Sequence, residues 1–168
     1  MEKATRERLL DAGVALLGTV GARDATARAV ETRADVPHGT LRHHFGDQSR
    51  YLSALADHVL SIDVPLEGES AQETVRRWLT QQRTVTRARY ELALIGLRNP
   101  AVGRAMMAAR EAYLDRLVRT GMERSAAAAL IAAVDGLVLD ALMRGEADAS
   151  LADLGRASTF LADVDGTA

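Results

Sequence analysis

The stretch Thr26 to Leu52, TARAVETRADVPHGTLRHHFGDQSRYL, decides the fold. It reads as two short helices joined by a tight turn, followed by the start of a third. Val30 and Ala34 put small apolar groups on one face of the first helix, and Val36 buries the turn. Pro37 is expected to start the second helix, because its fixed φ suits a first turn whose N–H has no partner anyway. Leu41 and Phe45, at i and i+4, then point inward together. His38, Gly39, Thr40, Arg42, His43 and His44 are left facing outward, a short basic and hydrogen-bonding surface of the kind a major groove accepts.

The rest of the composition agrees with an all-α protein. The chain has 168 residues, 48% of them hydrophobic and only 4% aromatic, so its core must come from Ala, Leu, Val and Met. That length suffices to bury roughly 70% of the unfolded surface. Ala, Leu and Arg favour helix, and β-branched runs that would signal strands are missing. With no cysteine there are no disulfides, thiolate metal sites or cysteine nucleophiles. Met1 to Leu10 holds Lys3, Arg6 and Arg8 but no apolar run of signal length. No window is expected to approach the ~18 apolar residues of a membrane span. A cytoplasmic protein without membrane contact is the expectation.

The formal net charge is −2. Residues 1–50 hold eight bases against seven acids, the remainder 13 against 16. Binding to DNA must then rest on a few placed contacts and on doubling by a second subunit, not on a broad positive field.

Around the central stretch, Thr5 to Val20 carries Leu9, Ala12, Gly13, Leu16, Leu17 and Val20 at helical spacing, with Gly21 as its stop. Thr26 is placed to cap a helix from Arg28 to Arg33, whose N-terminus offers N–H groups to a phosphate. Asp35 occupies the turn. Gly46 and Asp47 separate the next helix, about Pro37 to His44, from one running from about Gln48 to Ile62.

In this order of residues, Arg6 to Leu55 resembles the DNA-binding domain of TetR-family transcriptional regulators. The features that carry it are an opening helix ending at Gly21, Thr26 at the next helix start, Val36, Gly39-Thr40-Leu41, His43-His44-Phe45 and Leu52. The family usually has Ala where Glu31 stands, Gly at Asp35, Tyr at Arg42 and Lys at Gln48, and the last two usually touch phosphates. The resemblance implies that Thr26, Arg42, His44 and Gln48 hold the DNA backbone. Arg28, His38, Gly39, Thr40 and His43 would approach base edges, with Pro37 and Gly39 allowing close approach. A metal site at His43-His44 is not expected, because adjacent helical residues point about 100° apart. No cofactor is implied.

Beyond a linker at Val64 to Ser70, a long helix is expected from Ser70 or Ala71 to about Leu97. Its stripe Val75, Trp78, Gln82, Val85, Arg89, Leu92, Gly96 is broken by Gln82 and Arg89. Arg76, Arg77, Arg83 and Arg87 read as a solvated face. Gln82 and Arg89 either snorkel to water or anchor a ligand in a cavity lined by Trp78, Val85, Met106, Met107, Arg110, Tyr113 and Leu137. Asn99-Pro100 starts a helix running to Thr120, stopped by Gly121. Ser125 is expected to cap the next, Ala126 to Arg144, apolar on nearly every side. Such a helix cannot rest on the surface of a small monomer. A homodimer interface is therefore expected from Leu130, Ile131, Val134, Leu137, Val138, Ala141 and Leu142. Leu154, Phe160 and Leu161 of a last helix capped by Ser150 would join it. Asp135 and Asp140 need partners there if buried.

The organisation expected is a helix-turn-helix head (1–47), a connecting helix (48–63) and a helical ligand-binding and dimerisation domain (64–168). The function implied is a one-component regulator, most often a repressor in this family. It would be a homodimer on a palindromic DNA operator with half-sites about 34–36 Å apart or a multiple, released by a small-molecule effector of unknown identity. The alternative is a helical small-molecule or protein-binding dimer whose DNA head no longer works. An enzyme is disfavoured, since no Ser/His/Asp pattern, Gly-rich phosphate loop or paired Glu-x-x-His motif is present.

Overall fold

The computed structural model describes residues 4–66 and 68–156, and among them every regular element is helical. The first, α1 (Thr5–Asp24), buries Leu9, Leu10, Ala12, Val14 and Leu17. Gly21, at φ +80°, breaks its axis where the sequence places the stop, and three more residues continue as a last turn. Helix α2 (Ala27–Arg33) is capped by Thr26, whose hydroxyl accepts the Ala29 N–H at 3.2 Å. It ends in a Schellman motif. Val36 N–H reaches the Glu31 carbonyl, Asp35 N–H reaches the Thr32 carbonyl, and Asp35 itself takes φ +52°. Arg8 pins this turn from α1 by donating to the carbonyls of Ala34 and Asp35.

Helix α3 is shorter than expected and begins later, at Thr40–Phe45. Pro37 does not open it. Gly39 stands at φ +90°, which the helix cannot use, so Pro37 to Gly39 form a preceding turn closed by Thr40 N–H and hydroxyl bonds to the Pro37 carbonyl. Leu41 and Phe45 are buried, with Phe45 edge-on to Tyr51 at 5.0 Å. Asp47 caps α4 (Gln48–Ile62) by accepting the Arg50 N–H.

Ser70 and Glu73 form a capping box at the start of α5 (Ala71–Leu79). The single long helix is not formed: the chain breaks at Thr80 to Gln82 and restarts as α6 (Arg83–Gly96). Side chains claim the groups the helix needs there. Arg77 turns inward to a bidentate pair with Glu69, 2.7 Å on each side, and also meets the Gln82 side-chain oxygen and the Val64 carbonyl. Thr86 donates to the Trp78 and Gln82 carbonyls. Arg77 is therefore buried rather than solvated. Arg83 likewise bonds the carbonyls of Leu79, Leu142 and Glu146, leaving only Arg76 and Arg87 of the four exposed.

Asn99 caps α7 (Pro100–Arg119). Glu123, not Ser125, caps α8 (Arg124–Arg144), because a carboxylate three residues ahead reaches the Ala126 N–H. Helix α8 is also long and apolar enough to cross a membrane by length and composition, against the expectation that no window comes near. Its two interior acids, Asp135 and Asp140, are too few to lower that composition. Residues 151–156 are helical, and Phe160 and Leu161 lie outside the described residues.

Two apolar clusters hold these elements. One joins Leu9, Leu17, Val30, Leu41, Phe45, Leu55 and Val59 to Ala88, Leu92 and Val102, so α6 and α7 share a core with α1 to α4. The other packs Val75, Trp78 and Leu79 against Val138, Ala141 and Ala149. Val138 and Ala141, expected at a subunit interface, are fully buried inside the chain because α5 folds over them.

Candidate nucleic-acid interface and ligand region

The α2–turn–α3 unit carries the first candidate site. Thr26, Arg28, Pro37, His38, Gly39, Arg42, His43, His44 and Gln48 are exposed around it, and Thr40 is half-buried. The His43 and His44 rings lie nearly perpendicular, their centroids 5.5 Å apart. Glu31, which the sequence marks only as a departure from the family, is a structural part of this unit. Its buried carboxylate accepts the N–H groups of Gly39 and Leu41, each at 2.9 Å, and lies 3.4 Å from His38 Nδ1. Burial acts to raise its pKa, yet the bonds from Leu41, His38 and Gly39 outweigh it and the carboxyl titrates below its usual range. The sequence signal was an acid adjoining the inward pair Val30 and Ala34.

The second region is polar and lies where α4 ends. Arg89 makes an ion pair with Asp63 at 2.9 Å and with Asp135 at 3.3 Å. Its guanidinium lies over the rings of Trp78 and Tyr90, 4.9 and 5.0 Å from their centroids. The Tyr90 hydroxyl donates to the Asp135 carbonyl, and Arg89 donates to that hydroxyl. Asp63 is buried, which pushes its pKa up to about 6 even with Arg89 and Arg77 nearby, and Asp135 adds to the rise. The Asp63–Arg89 approach is not aligned as a hydrogen bond, and the buried Trp78 N–H has no acceptor among the described residues.

Of the expected cavity residues, Trp78, Arg89 and Leu137 come together here. Gln82 engages Arg77 and the Ile62 carbonyl, so neither Gln82 nor Arg89 snorkels to water. Val85 and Met106 pack on the first cluster, Met107 faces outward, Arg110 pairs with Glu111, and Tyr113 is half-buried. Asp63 was missed because it lies on another helix end, and Tyr90, though next to Arg89 in sequence, because its place here comes from its bond to the Asp135 carbonyl on α8. Asp135 was flagged as needing a partner, and Arg89 is that partner.

Known proteins match both halves. Residues 69–163 match the model for the tetracyclin repressor-like C-terminal domain. The HTH-type transcriptional regulator BetI of Serratia proteamaculans is 34% identical over 61 residues, 36% of this chain, and the match spans 31% of that relative's length. Three solved structures are similar along most of the chain. The multidrug binding protein EbrR complexed with imidazole has 27% identity and a TM-score of 0.66, covering 85% of this chain and 87% of that one. Complexed with ethidium, EbrR gives 26% and 0.67, covering 83% and 88%. A TetR-family member from Streptomyces coelicolor A3 gives 28% and 0.66, covering 84% and 89%. With a family model matching more than half of its length, this chain belongs to the TetR family of transcriptional regulators.

Proposed function

We propose that this protein is a repressor, cytoplasmic and not an enzyme, that binds a palindromic operator as a homodimer and leaves it when a small molecule occupies the C-terminal region. The observation that carries the reading is the head itself. Exposed polar side chains on the Pro37–Gly39 turn and α3 stand on buried Leu41 and Phe45, a rigid base for groove contacts. The head is residues 1–47, the connecting helix 48–63 and the body 64–168. Thr26, Arg42, His44 and Gln48 hold phosphates, while Arg28, His38, Gly39, Thr40 and His43 face bases. Subunits meet through α8, where Leu139 and Met143 are exposed on one face and Leu130 is exposed nearer the N-terminal end. Ile131, Val134, Leu137 and Leu142 keep partial exposure along α8, and Leu154 keeps it in the segment that follows.

The effector region is the Arg89 cluster. Two carboxylates face one guanidinium that lies over two aromatic rings, so a planar cation is the ligand class that can take the guanidinium's place. That EbrR was solved with ethidium supports this class. Release further requires that the ligand favour the conformation that does not fit DNA.

A mobility-shift titration against the protein's own promoter region tests the reading. Tight binding is expected, with a salt slope that falls by about 0.9 for each phosphate contact removed in Arg42→Ala. Absence of binding even at low salt would instead favour a ligand-binding dimer with a head that no longer reads DNA.

A further inference from the structure

Helix α3 has no capping side chain of its own, since Gly39 fills the N-cap position. Glu31 caps it from α2. One carboxylate oxygen, Oε1, accepts both the Gly39 and Leu41 N–H groups, and the other, Oε2, faces His38 Nδ1 at 3.4 Å. The Glu31 side chain is 6% exposed and that of His38 is 61% exposed. An ionised carboxylate only accepts hydrogen bonds, so the hydrogen between Oε2 and Nδ1 belongs to the imidazole. A neutral imidazole carries one N–H, and the bond made by one ring nitrogen sets the state of the other. With Nδ1 turned to Glu31, Nε2 is the nitrogen open to a base, and it carries a lone pair.

We infer that Glu31 is a positioning residue for sequence readout: it holds His38 in the Nδ1–H tautomer, so that each half-site meets an acceptor at Nε2. This rests on the operator-binding reading above. In the major groove an acceptor pairs with an exocyclic amino group, adenine N6 or cytosine N4. Guanine offers O6 and N7, both acceptors, and meets a lone pair with lone pairs. At one position of the contacted strand in each half-site, adenine or cytosine is thus selected over guanine, through a residue that never touches DNA. An alanine at position 31 would leave the Gly39 and Leu41 N–H groups without this acceptor and the imidazole free to exchange its hydrogen between nitrogens.

Glu31→Gln separates this role from a merely structural one. Its oxygen can keep the two backbone bonds while its NH2 takes the place of Oε2 and donates to Nδ1. The imidazole hydrogen then moves to Nε2, which becomes a donor suited to guanine O6 or N7. Two measurements are decisive. Ring 15N shifts of His38 in the free protein at about pH 9, where imidazoles are neutral, should show Nδ1–H in the wild type and Nε2–H in Glu31→Gln. Selection from randomised duplexes should then show preference at one base pair per half-site moving by about tenfold from adenine or cytosine toward guanine. His38→Ala should be indifferent there. An Nε2–H tautomer in the wild type, or identical selected sequences for wild type and Glu31→Gln, would overturn the inference while leaving operator binding intact. Failure of the wild type to bind any duplex would overturn operator binding, and the readout role with it.

Discussion

Gly18 shows how strongly a single residue can constrain this fold. A Cβ built on it would fall 2.0 Å from the Thr84 carbonyl oxygen, so α1 and α6 approach at backbone distance. Backbone cannot swing aside as a side-chain end can. Gly18→Ala is expected to cost about 2–3 kcal/mol, read as a lower urea midpoint. Asp63 makes a second prediction at this scale. Its folded pKa of about 6 exceeds the ordinary 3.8, so the native state holds its proton more tightly than the unfolded chain. Its contribution is therefore fully present below about pH 4 and lost as pH rises to about 6, a change of roughly 3 kcal/mol. The stability of the wild type minus that of Asp63→Asn, from urea titrations across that interval, should fall by this order. A flat difference would show that folding leaves the proton affinity of Asp63 unchanged. Caps such as Thr26 and Asn99 were legible in the sequence because cap and helix are neighbours. Glu31, Asp63 and Arg77 were not, because their partners lie beyond one helical turn or on another helix.

Among the elements, α8 separates composition from placement. The sequence identifies it as too apolar for a monomer's surface, and it does leave Leu130, Leu139 and Met143 exposed. Which residues stay exposed is set by α5, whose Val75 and Trp78 cover Val138 and Ala141. Two substitutions should therefore part company. Met143→Asp is expected to leave a folded chain and produce monomers in sedimentation, whereas Val138→Asp should lose the fold, since it buries an unpaired charge. Monomer formation by a folded Val138→Asp would reverse this assignment. The break between α5 and α6 teaches the same lesson. A continuous helical stripe from Val75 to Gly96 is present in the sequence, yet the side chains of Thr86 and Arg83 take the carbonyls of Trp78 and Leu79 that would continue it.

For the whole molecule, the packing of head and body on each other bears most directly on regulation. Leu92 and Val102 belong to the same cluster as Leu9 and Phe45, and Gly18 locks α1 to α6. Glu91 accepts the Ala22 N–H just past the Gly21 break, and Ser49 meets the cap residue Asn99. No flexible joint separates α6, which carries Arg89, from α1, so on the proposed effector mechanism a displacement of α6 would carry α1 with it. The modest charge of residues 1–50, eight bases against seven acids, makes each head weak alone. The Met143→Asp monomer should consequently bind a full operator roughly 100-fold or more weakly than the dimer, in a mobility-shift titration at fixed salt. Equal affinities would mean that one head suffices.

The sequence by itself determined the all-helical class, most helix starts and stops, the helix-turn-helix and the unusual apolarity of α8. These follow from periodicity, propensity and caps, which act over a few residues. Only the tertiary structure decided where α3 begins, why the helix after Ser70 breaks, which side of α8 remains open, and that Glu31 and Arg89 turn inward. The open side of α8 is set by the apolar cover that α5 lays over Val138 and Ala141, and Glu31 and Arg89 turn inward because each charged side chain finds a partner elsewhere in the chain. A buried charge is costly until that partner is in place, so the outcome is settled by packing and not by local sequence.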